Sequence, residues 1–105
     1  AVRVPVIAGS IVDVTFVPKR PTTLEEVNAA LKAAAATDRW KRVFAVSEEP
    51  LVSSDILGLP YGAIADLSMT RVVDGQLVKV LAWYDNEMGY THTLVEHAVA
   101  IAQRH

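Results

Sequence analysis

The sequence contains no cysteine. That absence excludes a disulfide framework, a thiolate-ligated zinc or iron–sulfur centre, and a thiol nucleophile supplied by this chain. An excess of positive charge is missing too: ten Lys and Arg stand against twelve Asp and Glu, for a formal net charge of −2. Without a basic field to draw in phosphate backbones or anionic lipid, neither nucleic acid nor a membrane surface is an expected partner. No apolar run approaches the roughly 20 residues that span a bilayer, and residues 1–6 lack the charged start and apolar stretch of a signal peptide. A cytoplasmic location is therefore expected. Glycine is sparse, and none of Gly9, Gly58, Gly62, Gly75 and Gly89 falls in the G-x-G-x-x-G or Walker spacing. No dinucleotide-binding (Rossmann) fold is encoded, and no serine sits in a G-x-S-x-G elbow.

What is present is a chain of 105 residues, 51% hydrophobic and 21% charged. That suffices for one domain with a core, residues 1–105, but is short for an enzyme that must hold a dinucleotide and a second substrate. From Gly9 to Val17 the sequence alternates, which predicts a strand with Val12, Val14 and Phe16 toward a core. Its other face, Ile11, Asp13 and Thr15, is left for polar groups or another subunit. After Pro18, Thr22 and Thr23 each precede a glutamate by three positions, Glu25 and Glu26, so either can build a capping box. Leu24, Val27, Leu31, Ala34 and Ala35 then form the stripe of an amphipathic helix ending near Ala36.

Val43–Val46 reads as a short strand, and Leu51–Tyr61, with Ser53-Ser54-Asp55 capping local turns, as irregular chain. Ala63–Val73 and Leu77–Tyr84 alternate on either side of Asp74-Gly75, a strong hairpin signal. Asp85 or Asn86 is the natural cap of a last helix whose stripe is Leu94, Val95, Ala98, Ile101 and Ala102. The order β, α, β, β-hairpin, α predicts an α+β fold with a mostly antiparallel or mixed sheet and flanking helices.

His92, Glu96 and His97 invite a metal reading, but at about 100° per residue His97 stands some 140° away from His92, so three ligands do not converge. No metal is expected; these side chains read as a solvated helix face, and His105 as a fraying terminus. The pairs Glu25/Glu26 and Glu48/Glu49 read as a capping position and loop charge. The densest polar and aromatic cluster is Trp83-Tyr84-Asp85-Asn86-Glu87-Met88-Gly89-Tyr90, at the junction of a strand end and a helix start. Free amides converge at such junctions, which favours ligand contacts. Equally, Trp83 and Tyr90 can be core anchors while Asp85 and Asn86 only cap. Both readings stay open on spacing alone.

The same cluster resembles glyceraldehyde-3-phosphate dehydrogenase. So do Arg3-Val4-Pro5, the run Glu25-Glu26-Val27-Asn28-Ala29-Ala30-Leu31-Lys32-Ala33-Ala34-Ala35, and Glu49-Pro50-Leu51-Val52-Ser53-Ser54-Asp55, in the family's order. The resemblance covers nearly the whole chain but only the end of the family's sequence, the second part of its catalytic domain. It implies phosphorylating oxidation of a phosphorylated aldehyde with NAD or NADP, in which a cysteine thiolate attacks, a histidine is the base and hydride passes to the nicotinamide. Cysteine, histidine and Rossmann domain are expected elsewhere in the family's sequence, so His92, His97 and His105 do not stand in for the base, and the isolated chain is expected to be inactive.

By position, the resemblance makes Arg3 the arginine that binds a phosphate of the substrate, and Asn86 the asparagine that recognises the nicotinamide carboxamide. Tyr90 lines the nicotinamide pocket, Tyr84 lies near the missing cysteine, and Glu87 supports Asn86. Two departures stand out: Thr93 where the family usually has arginine, and Tyr61-Gly62-Ala63 where paired serines are frequent. The implied partners are the N-terminal portion of the same enzyme and sister subunits of a tetramer. The other reading is a self-standing α+β binding or assembly module.

Overall fold

The computed structural model describes residues 4–104. Its elements are β1 (Ser10–Phe16), α1 (Leu24–Ala36), β2 (Phe44–Ser47), α2 (Ser53–Ile56), β3 (Ala63–Asp66), β4 (Arg71–Val73), β5 (Leu77–Tyr84) and α3 (Met88–Gln103). One five-stranded sheet runs β1-β5-β3-β2, with β4 also paired to β5. β5 is antiparallel to β1, β3 and β4, while β2 and β3 are parallel. This is the mixed α+β sheet expected from the pattern.

Helix α1 forms where the stripe and caps place it. The Thr23 hydroxyl accepts from the Glu26 amide at 3.2 Å, so Thr23 rather than Thr22 is the cap. The reciprocal half of the box is replaced: Glu26 turns to the Thr22 hydroxyl at 2.8 Å and to Arg20. Leu24, Val27, Leu31, Ala34 and Ala35 are all half-buried, as a helix laid on a sheet requires. The Asp74-Gly75 hairpin forms as well: both residues have positive φ, 52° and 66°, and the Gln76 amide donates to the Val73 carbonyl at 3.0 Å. Positive φ at both central positions is what a type I′ turn demands, and asparagine, aspartate and glycine tolerate it best.

Three expectations are corrected. The stretch Leu51–Tyr61 is not wholly irregular; it holds α2 and forms the crossover that lets β2 and β3 lie parallel. The run Ala63–Val73 is not one strand. Ala65 pairs with Ala82 and Arg71 with Lys79, six steps on one side against three on the other. The surplus three residues form a single 3₁₀ turn, Leu67–Met69, capped by the Asp66 carboxylate, which accepts from the Ser68 amide at 3.1 Å.

Third, β1 does not put its apolar side into a closed core: Val12, Val14 and Phe16 are all exposed. The stripe on α3 is uncovered as well, with Leu94 54%, Val95 56% and Ile101 46% exposed. The core instead lies around the centre of the sheet and α2, where Ile56 and Val78 are fully buried and Ala65 is nearly so.

Candidate functional site

Strand β5 ends at Tyr84 and α3 starts at Met88, so residues 85–87 are a tight turn between the central strand and a helix N-terminus. Alternation along β5 sends Trp83 and Tyr84 to opposite faces. The Trp83 indole N–H donates to the buried Asp66 carboxylate at 3.1 Å, which anchors the strand end at the first residue of the cluster.

The turn itself is organised by Asp85, which is 6% exposed. Its Oδ1 accepts from the Glu87 amide at 2.9 Å and the Met88 amide at 3.0 Å, and its carbonyl accepts from the Gly89 amide at 3.0 Å. Asp85, not Asn86, is therefore the residue that caps α3. Its Oδ2 accepts from the Gly58 amide at 2.9 Å, tying the loop after α2 to the start of α3. These amides, Gly58 foremost, then Met88 and Glu87, hold the Asp85 carboxyl below the ordinary carboxylate range, against the opposing effect of burial. A second contact joins the same pieces. Gly89 is buried, and a Cβ on it would lie 2.5 Å from the Tyr61 carbonyl oxygen. Only glycine permits that approach.

Two concavities meet at this turn. One, of about 680 Å³, is lined by Gly9, Ser10, Ser53, Trp83, Tyr84 and Asn86, among others. The other, of about 340 Å³, is lined by Gly62, Tyr84, Asp85, Asn86, Gly89, Tyr90 and Thr93. Asn86 is exposed and lines both, as does half-buried Tyr84.

The sequence model of the family described as "Glyceraldehyde 3-phosphate dehydrogenase, C-terminal domain" matches residues 1–86. The chain belongs to that family. It is 45% identical over 103 residues to a glyceraldehyde-3-phosphate dehydrogenase of Zymomonas mobilis, with 98% of this chain and 31% of that protein covered. It is 48% identical over 104 residues to one of Geobacillus stearothermophilus, covering 99% of this chain and again 31% of that protein. A chromosomal form from Cupriavidus necator is 49% identical over 102 residues, 97% of this chain and 30% of that protein. The chain thus spans less than a third of the length of these relatives.

Within this family domain, the structure brings Tyr84, Asn86 and Tyr90 to one concavity, with the Tyr90 side 71% exposed. Glu87 is exposed and joins the turn through its backbone, its amide on Asp85 and its carbonyl accepting from the Thr91 amide and hydroxyl. Arg3 and His105 lie outside the described residues. Both departures from the family's usual residues, Tyr61-Gly62 and Thr93, border the smaller concavity: Gly62 and Thr93 line it and Tyr61 abuts Gly89.

Among the described residues, no group of three or more His, Asp or Glu is placed to hold a metal ion. His92 lies 3.9 Å from Glu96, which instead pairs with Arg42 at 3.1 Å. No described helix is long and apolar enough to cross a membrane. Sequence reasoning gave Asp85 a cap and nothing more. Its bond to Gly58, 27 positions away, has no local signature.

Proposed function

We propose that this chain forms one wall of the active site of a glyceraldehyde-3-phosphate dehydrogenase, the enzyme of glycolysis and gluconeogenesis that oxidises glyceraldehyde 3-phosphate with NAD or NADP and inorganic phosphate. Asn86 carries this reading. It is exposed on the rim shared by the two concavities and matches the family's nicotinamide-recognising asparagine. Its side-chain amide has two donors and an acceptor, the complement of the nicotinamide carboxamide. Tyr90, in the first turn of the helix, offers an aromatic ring on the same concavity, and Tyr84 lines it from the strand end. The residues present therefore fit the nicotinamide end of the cofactor, which supplies the hydride acceptor when bound.

In this reading Asn86 fixes which ring face is offered, Glu87 supports it from the next position, and Arg3 holds a substrate phosphate with its planar fork of donors. Residues 1–105 are one domain. Nucleophile, base and Rossmann domain come from the rest of the enzyme, so the isolated chain does not turn over. The test is to combine the chain with the N-terminal two-thirds of the Geobacillus relative and follow NAD reduction with glyceraldehyde 3-phosphate and phosphate. Activity is expected only for the combination, and Asn86→Ala is expected to raise the KM for NAD by on the order of tenfold. Turnover by the chain alone refutes the reading.

A specific observation favours an assembly role beside this one. The folded chain exposes 7453 Å², whereas a compact monomer of its mass exposes about 5,800 Å². The difference, roughly 1,700 Å², is the one-sided area of about two standard interfaces. The uncovered faces of β1 and α3 contribute to it, and the partners they suit are the N-terminal portion of the enzyme and sister subunits of a cytoplasmic homotetramer. Sedimentation showing a strict monomer with no affinity for the N-terminal portion rules this out.

A further inference from the structure

Resting on the assignment of Asn86 to the nicotinamide, we propose that Asp85 is the positioning residue for Asn86: its carboxylate, by joining the loop after α2 to the first turn of α3, fixes the direction in which Asn86 projects. The geometry has two pins. At one end Asp85 Oδ2 holds the Gly58 amide at 2.9 Å; at the other the Tyr61 carbonyl packs against the α-carbon side of Gly89. Between the pins, Asp85 Oδ1 draws in the amides of Glu87 and Met88. Asn86 lies between the carboxylate and the two amides it draws in, so its backbone is held from both sides. An ordinary N-cap satisfies only the helix amides. Here one oxygen caps and the other reaches a separate loop, and that second bond is what an isolated cap would not need.

The loop pinned in this way borders the site. Gly62 lines the same concavity as Asn86, and α2, which precedes the loop, contributes Ser53 to the larger one. Asp85 therefore sets the mouth of both concavities at once. Hydrogen bonds to the carboxamide depend on where the Asn86 amide stands, so a residue that holds Asn86 in place governs cofactor use without touching the cofactor.

The test separates capping from pinning. Asp85→Ser keeps a short side-chain oxygen for the Glu87 and Met88 amides but cannot reach Gly58. Asp85→Asn keeps one oxygen and turns an amide NH₂ toward the Gly58 N–H, donor against donor. In enzyme reassembled with the N-terminal two-thirds of the Geobacillus relative, both variants are expected to raise the KM for NAD severalfold, up to about the tenfold of Asn86→Ala, while the KM for glyceraldehyde 3-phosphate stays put. A merely structural defect lowers the active fraction and moves neither KM.

Asn86→Ala serves as the reference: if it leaves the KM for NAD unchanged, the nicotinamide assignment itself fails. If Asn86→Ala raises that KM and the Asp85 variants do not, the positioning proposal alone is overturned. A readout independent of turnover is the backbone order parameter of Asn86 in the 105-residue chain. Asp85→Ser is expected to loosen Asn86 with helix content unchanged by circular dichroism, and an equally rigid Asn86 overturns the proposal.

Discussion

Replacing Gly89 with alanine isolates the contact between α3 and the loop before β3. In an open helix the change from glycine to alanine stabilises by about 1 kcal/mol. At position 89 the added Cβ meets the Tyr61 carbonyl oxygen at 2.5 Å, its carbon at 3.3 Å and the Gly62 Cα at 3.4 Å. Carbon and oxygen sit comfortably at roughly 3.3 Å or more, so the two backbones must part by about 0.8 Å. Neither side is a side chain that can rotate away. Overpacking costs about 1–3 kcal/mol, and two backbones that cannot rotate away put this case at about 2–3 kcal/mol, which outweighs the propensity gain.

The expected net loss is about 1–2 kcal/mol, a fall in Tm of roughly 5–10 °C for a domain of this size. Gly58→Ala is the matched control, because its Cβ meets nothing within 4 Å and only its φ of +81° resists substitution. It is expected to lose about 1 kcal/mol from backbone strain alone. Urea unfolding followed by tryptophan fluorescence measures both. A Gly89→Ala chain as stable as the parent, or more so, refutes the close approach of α3 to residues 61–62.

Three other outcomes are expected. Ile56→Ala, at a fully buried position against Gly9, should destabilise by about 2–5 kcal/mol in the same urea assay, and a loss below about 1 kcal/mol contradicts its place in the core. Thr23→Ala should cost about 1 kcal/mol while Thr23→Asp costs almost nothing, since only the oxygen that meets the Glu26 amide matters; equal losses for both would exclude the cap. The Asp85 carboxyl is held below the ordinary range by amides present only in the folded state. Its contribution is therefore complete above the ordinary carboxylate pKa of about 4 and drains as pH falls toward the folded value. Acid unfolding should be shallower for Asp85→Asn than for the parent, and superimposable acid limbs would refute this coupling.

Features decided within a few residues were legible in the sequence. Thr23 with Glu26, the α1 stripe and the Asp74-Gly75 turn each depend on neighbours in the chain, and each formed. The break in Ala63–Val73 was hidden because alternation persists through Leu67–Met69; only the unequal spacing against β5 reveals that three residues must leave the sheet. Periodicity located the apolar side of α3 but says nothing about what covers it, and this chain does not cover it. At the site, the cluster from Trp83 to Tyr90 was visible as a strand-to-helix junction. The Asp85–Gly58 bond was not, since it joins segments that meet only after β5 is seated between β1 and β3.

Among the described residues β1 pairs only with β5, so its far side presents a row of unmatched amides and carbonyls beside exposed Val12, Val14 and Phe16. Such an edge is a template on which another copy's strand can lie, and Ser10–Phe16 has the β-branched, proline-free composition that favours stacking. In its middle stands Asp13, held by Lys79 at 2.8 Å on the neighbouring strand. Repeating that segment in register would stack one carboxylate above the next along a fibril. Asp13 is thus a gatekeeper whose value lies in the assemblies it keeps from growing while the edge waits for a specific cover.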